Sequence, residues 1–205
     1  MTAEPGTRLA DPAWLADRVG ALGEAWDCAD RRVIGTLWWY MASSVLLDLP
    51  LRQVAAGSAI ADPALAALTC DMRADGSLAA VRSALTVADT PAFATALRPA
   101  VGSVIVSLAE VSGAGTPALW AIASDALANR ALDAGVPEVA SSIAAQLSAT
   151  MPQPRFIEVS GRRFVRRSSC CVIYETGKAA KCVSCPRREP EERAGLLTEL
   201  VRRGR

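Results

Sequence analysis

Histidine is absent from all 205 residues of this chain. Its absence excludes Rieske-type ligation and every zinc finger that mixes cysteine with histidine. An excess of charge is also missing: 22 basic residues face 21 acidic ones, for a net +1. That balance gives no electrostatic case for nucleic-acid binding. Charged residues make up only 21% of the chain while hydrophobic ones reach 51%, so the composition excludes disorder and predicts a well-buried globular protein. The opening residues, Met1 to Asp11, lack the basic start and apolar middle of a signal peptide, which predicts a cytoplasmic location. The uncharged runs Val33 to Leu47 and Val111 to Ser124 fall short of the roughly 20 residues of a spanning helix. No transmembrane segment is therefore expected.

What is present is cysteine, in an uneven distribution. Four of the six lie near the C-terminus as Cys170-Cys171, Cys182 and Cys185, a Cys-Cys-x10-Cys-x2-Cys pattern. Four thiolates complete a shell for a metal or an iron–sulfur cluster. Structural zinc sites use two short knuckles, and only Cys182-Val-Ser-Cys185 has that form. Cys170 and Cys171 have no spacer. Successive side chains of an extended chain point to opposite faces, so this pair needs a local bend to serve one site. A 2Fe–2S cluster, with two irons to satisfy, accepts adjacent cysteines more readily than a single tetrahedral ion does. The other readings are a four-cysteine zinc site, a strained Cys170–Cys171 disulfide and unliganded buried thiols. Cys28 and Cys70 stand apart and are expected to be buried structural thiols.

Arg166-Arg-Ser-Ser before the cysteines and Pro186 after them complete a segment, residues 166 to 187, that resembles the FhuF-like siderophore-iron reductases. The resemblance implies a 2Fe–2S cluster on Cys170, Cys171, Cys182 and Cys185. It also implies one-electron reduction of siderophore-bound iron(III) to iron(II), fed by an electron donor such as a ferredoxin or reductase. Upstream the likeness is limited to length and an apolar, alanine-rich character. The alternatives are a ferredoxin-like carrier without a siderophore site, or a four-cysteine zinc protein with a structural or redox-sensing role. Near-neutral net charge gives no long-range attraction for highly anionic tris-catecholates, which favours hydroxamate complexes as substrate.

The expected fold is α+β and predominantly helical. A helical substrate-binding body, residues 1–154, carries small antiparallel hairpins, and residues 155–205 form a C-terminal cysteine-loop module for the cluster. Asp11-Pro12 opens a helix over 11–26, and a nearly all-apolar helix over 31–47 stops at Pro50. Residues 68–82 read as a hairpin turning on Asp75-Gly76, with an alanine-rich helix as competitor for its second arm. Prolines 91, 117 and 137 mark helix starts for 91–111, 116–134 and 136–149. After a linker at Met151-Pro-Gln-Pro154, a hairpin turns on Ser160-Gly161. A last helix over 190–203 has acids at its start and arginines at its end.

Two further residue sets are candidates for function. Arg162, Arg163, Arg166, Arg167, Lys178, Lys181, Arg187 and Arg188 surround the cysteines and would compensate the charge of a reduced cluster or dock an acidic electron donor. Trp38, Trp39, Tyr40 and Trp120, with Arg52, Arg73 and Arg130, are candidate linings of a siderophore cleft, against the alternative that the tryptophans belong to the core.

Overall fold

The computed structural model describes residues 1–204, and its architecture is α+β with helices dominant. Helix α1 spans Pro12–Ala25, with the Asp11 carboxylate accepting from the Ala13 and Trp14 amides. Helix α2 spans Arg31–Ala56 and is capped in the same way by Asp30. α3 (Thr90–Ser112), α4 (Thr116–Asp133) and α5 (Val139–Leu147) complete the body. The sequence anticipated four of these starts, three of them through Asp-Pro and Thr-Pro signals. Two boundaries moved. α2 does not stop at Pro50: Pro50 and Leu51 are buried on its apolar side, and the helix runs on to Gly57, whose φ of +62° forms the C-cap. Burial of Pro50 and Leu51 outweighs the one backbone bond that proline removes. Pro137 precedes α5 in a turn and does not begin it.

Strands β1 (Thr2–Pro5), β3 (Leu68–Met72) and β4 (Leu78–Ser83) form an antiparallel sheet in the order β1-β3-β4. The second arm of the predicted hairpin is therefore a strand and not a helix. Its turn needs Gly76, which has φ +80° and whose missing Cβ would lie 2.5 Å from the Arg18 carbonyl oxygen. The two-residue strands β2 (Ile60–Ala61) and β5 (Thr86–Val87) pair separately. β1, β2 and β5 carried no alternation long enough to be seen in the sequence.

α2 and α4 pack across the centre, with α1, α3 and α5 around them. The main hydrophobic cluster runs in sequence from Leu9 to Met151, and Trp38, Trp39 and Phe93 are its largest fully buried members. Gly35 lets α2 meet α3 closely: a Cβ there would fall 2.4 Å from that of Ser112. α3 is the one described helix long and apolar enough to cross a membrane by length and composition, and half of its most apolar window is buried. The run-length reading passed over it because Arg98 and Glu110 interrupt the segment.

Beyond Met151, β6 (Phe156–Val159) and β7 (Arg162–Val165) form the predicted hairpin, and α6 spans Pro190–Arg202. Between them lies the cysteine segment, whose only helical piece is a 3₁₀ turn at Ile173–Thr176. β7 rests on α4, the 3₁₀ turn on α2, and α6 on β6.

Candidate functional site: four thiols around a strained turn

The bend required by adjacent cysteines is made at Val172. This buried, β-branched residue has φ +53° and ψ 17°, in the left-handed region that costs a non-glycine residue about 1–2 kcal/mol. Its amide donates back to Cys170 Sγ at 3.4 Å. The turn folds Cys170 and Cys171 to one side, and the Cys170 and Cys185 sulfurs lie 3.6 Å apart. Two thiolates on one tetrahedral metal, at bonds of about 2.3 Å, would stand about 3.8 Å apart. Cys170 also contacts the Cys171 thiol. On the other arm the Cys185 amide donates to the Cys182 carbonyl at 3.1 Å, closing the Cys-x2-Cys turn. Arg188 secures that turn, donating to the Cys182 carbonyl at 2.9 Å and the Lys181 carbonyl at 2.5 Å.

A buried polar pair joins this loop to the body. Asp125, in the middle of α4, accepts from the Ser168 amide at 2.8 Å, and from the Ser169 amide and hydroxyl at 3.0 Å each. Arg167 Nε stands 3.6 Å from the same carboxylate, with both side chains almost wholly buried. Arg167 Nη1 reaches Cys182 Sγ at 3.3 Å, and the guanidinium lies 5.0 Å from the Tyr40 ring centroid. Asp125 was not singled out from the sequence. Its signal was there: one carboxylate inside the otherwise apolar stretch Ala118 to Ala128.

The charges follow from this packing. Burial pushes the Asp125 carboxyl up, against hydrogen bonds from Ser168 and Ser169 and the charge of Arg167. Burial also works against the Arg167 cation, but Tyr40, Cys182, Asp125 and Cys171 together hold it charged. The Cys171 thiol is held well below its usual range, first by the hydrogen bond from Cys170, then by the Ile173 amide and Arg167. Cys170, the donor in that pair, is pushed up by it. Burial raises Cys182, with Arg167 opposing.

The thiols do not form a single-ion shell. Among the described residues no group of three or more Cys, Asp or Glu side chains could hold a metal ion. Cys170 touches Cys171 and Cys185, whereas Cys182 is engaged by Arg167. Cys171 and Cys185 are buried; Cys170 and Cys182 are half-buried. Cys170 opens onto a cleft of about 510 Å³ between the start of α4, α2 and the loop, with Arg32, Thr36, Ser169 and Arg187 on its walls. Arg32 is tied to Glu175 at 2.7 Å, a contact that also pins the 3₁₀ turn to α2.

The other candidates separate. Trp38 and Trp39 are core residues, their indole N–H groups donating to the Gly76 carbonyl at 3.0 Å and the Leu119 carbonyl at 2.8 Å. Arg52 and Arg130 pair with Asp48, and Arg73 closes the β3–β4 turn through the Leu78 carbonyl. None of these five lines the cleft beside Cys170. Tyr40 alone reaches the thiol region, by way of Arg167, while Trp120 packs on the core edge. Of the flanking cations, Arg167 is buried against sulfur, whereas Arg162, Arg163 and Arg166 are exposed and Lys178 pairs with Asp27. Cys70 is fully buried in β3, its thiol pushed up to about 12 by burial. Cys28 is only half-buried, at the rim of a separate surface depression.

Comparison with protein-family models and with curated proteins finds no match to this chain. The likeness to FhuF-like reductases thus stands on the segment around the four cysteines.

Proposed function

We propose that the chain is a ferric-siderophore reductase in which Cys170, Cys171, Cys182 and Cys185 hold a 2Fe–2S cluster. The observation that carries this reading is the approach of Cys170 to Cys171 and to Cys185, at 3.6 Å from the latter, beside an open cleft that Cys170 borders. The donor set suits iron–sulfur ligation and contains no competing imidazole. The adjacent Cys170 and Cys171 suit two irons, which divide their ligands between them, better than one tetrahedral zinc ion. When bound, the cluster supplies a one-electron step that needs no proton.

The chain's own residues then have separable tasks. Arg167 places a buried cation against Cys182, which favours accumulation of negative charge at the thiolates. Asp125 fixes the backbone of Ser168 and Ser169 and so sets where Cys170 begins. The cleft brings the substrate next to Cys170 and away from the buried face. Arg32 is charge-paired with Glu175 and the chain's net charge is +1, so no long-range field draws in a highly anionic complex and a hydroxamate complex is favoured. One electron from a donor protein of the ferredoxin or reductase class converts bound iron(III) to iron(II), which oxygen ligands hold far more weakly. We place this chemistry in the cytoplasm.

Ferrioxamine added to anaerobically reduced protein tests the reading. Reoxidation with release of iron(II) is the expected result. A reduced centre that transfers electrons to a carrier protein but not to ferrioxamine would make the chain an electron-transfer protein.

A further inference from the structure

β6, β7, the Ser184–Pro186 turn and α6 enclose a recess of about 170 Å³ that shares Pro186 with the cleft beside Cys170. Arg155, Arg166, Arg167 and Arg193 line it, together with the Ser184 side chain, and no carboxylate is among the lining residues described. Four cations around one small space repel one another unless something neutralises them. Their internal partners do so only in part. Arg155 donates to the Ser168 hydroxyl and Arg193 to the Arg188 carbonyl, both at 3.2 Å and both to neutral oxygens. The Arg166 side chain has no hydrogen bond or ion pair among the described residues.

Arg167 supplies the second, independent observation. Its side chain is only 3% exposed: Nε faces the Asp125 carboxylate at 3.6 Å, whereas Nη2 is buried with no hydrogen-bond partner. A buried guanidinium with open donors is costly unless a ligand completes it. We propose that this recess is an oxyanion site for a phosphate-type ligand, bound by Arg167 from beneath and by Arg155, Arg166 and Arg193 from the walls. Guanidinium forks match tetrahedral oxyanions through paired N–H donors. The volume lies well below that of sites for drug-sized ligands, which selects a small anion over a siderophore or a peptide.

Arg167 also donates to Cys182 Sγ, so the recess and the thiol loop draw on one cation. An anion in the recess takes up part of the charge that Arg167 offers to sulfur. Occupancy is thereby coupled to the properties of the thiol group, and the coupling is reciprocal. This goes beyond the reductase reading and does not depend on it, because the recess exists whatever the thiols hold.

Calorimetric titration of the full-length protein with inorganic phosphate, phenyl phosphate and acetate, in chloride-poor buffer, tests it. One saturable phosphate site is expected, weakening as ionic strength rises. Arg193→Gln and Arg155→Gln should each weaken it at least tenfold, while Arg202→Gln, on the exposed end of α6, leaves it unchanged. Stronger binding of phenyl phosphate than of inorganic phosphate would assign the site to phosphomonoesters, and the reverse to the free ion. Saturable phosphate should also raise the melting temperature of the parent protein, a readout independent of the variants. Absence of saturable phosphate binding to the parent protein, or binding unaffected by both Arg193→Gln and Arg155→Gln, would overturn the proposal.

Discussion

The helical body and the cysteine module are held together by different physics. In the body, Trp38, Trp39, Phe93 and some thirty other side chains form one apolar cluster, and the indole N–H groups of Trp38 and Trp39 donate to backbone carbonyls. In the module, Val165, Val172 and Leu197 are buried outside that cluster, and the loop between β7 and α6 has little regular structure. Its order comes from Asp125, Arg167 and Arg188 reaching amides, carbonyls and sulfur. A region built this way gains stability from whatever its thiols bind, whereas the body does not need it. The comparison teaches where to expect metal dependence: in the C-terminal fifty residues and their seam with α4.

The largest effects should separate the two regions. Trp39→Ala removes a wholly buried indole and its bond to Leu119, and should cost about 3–5 kcal/mol of global stability in denaturant unfolding. Asp125→Ala leaves two amides, a hydroxyl and the buried Arg167 without their acceptor. Its cost is also about 3–5 kcal/mol. It should be read as faster labelling of the four thiols while the helical signal persists. Simultaneous loss of helix and thiol protection in Asp125→Ala would dissolve the distinction between the regions.

Arg166 and Arg167 sharpen the comparison inside the module. Adjacent in sequence, one is exposed and the other is buried against Cys182. With the cluster bound, Arg167→Gln should lower the midpoint potential by tens of millivolts, on the scale of about 59 mV per 1.4 kcal/mol. Arg166→Gln should change it little. Equal shifts in a redox titration would mean that long-range charge, and not contact with sulfur, sets the potential.

The helices and both predicted hairpins were legible because their signals are local: Asp caps, proline at first turns, Asp-Gly and Ser-Gly between alternating segments. The continuation of α2 past Pro50 was not, since it depends on tertiary burial of Pro50 and Leu51. The spacing pointed to four cysteines acting together, and the structure brings Cys170 to Cys171 and Cys185 while Arg167 engages Cys182. Their surroundings were not legible: Asp125 lies 45 residues before Cys170, and Arg32 reaches Glu175 across 143 residues. The sequence also treated Arg166 and Arg167 as one patch, because burial of one neighbour and exposure of the other is decided by how the chain leaving β7 meets Asp125 on α4.

The smallest effect concerns acid. Arg32 holds the Glu175 carboxyl below its ordinary 4.5, so the tie between α2 and the 3₁₀ turn is complete above that value. It is lost as pH falls through the depressed value, because the folded state must then give up its ionised form. Thiol labelling of the parent protein should accelerate over that acid limb, and Glu175→Gln should remove the acceleration. An unchanged limb in the variant would assign the acid sensitivity elsewhere.

The most direct measurement of the central claim is the iron, zinc and acid-labile sulfide content of anaerobically purified protein, taken for the parent chain and for each cysteine-to-serine variant. The account predicts two irons and two sulfides per chain. It predicts their loss on replacing Cys170, Cys171, Cys182 or Cys185, and their retention in Cys28→Ser and Cys70→Ser. Stoichiometric zinc without sulfide, or a Cys170→Ser protein that keeps its full iron and sulfide, would contradict it.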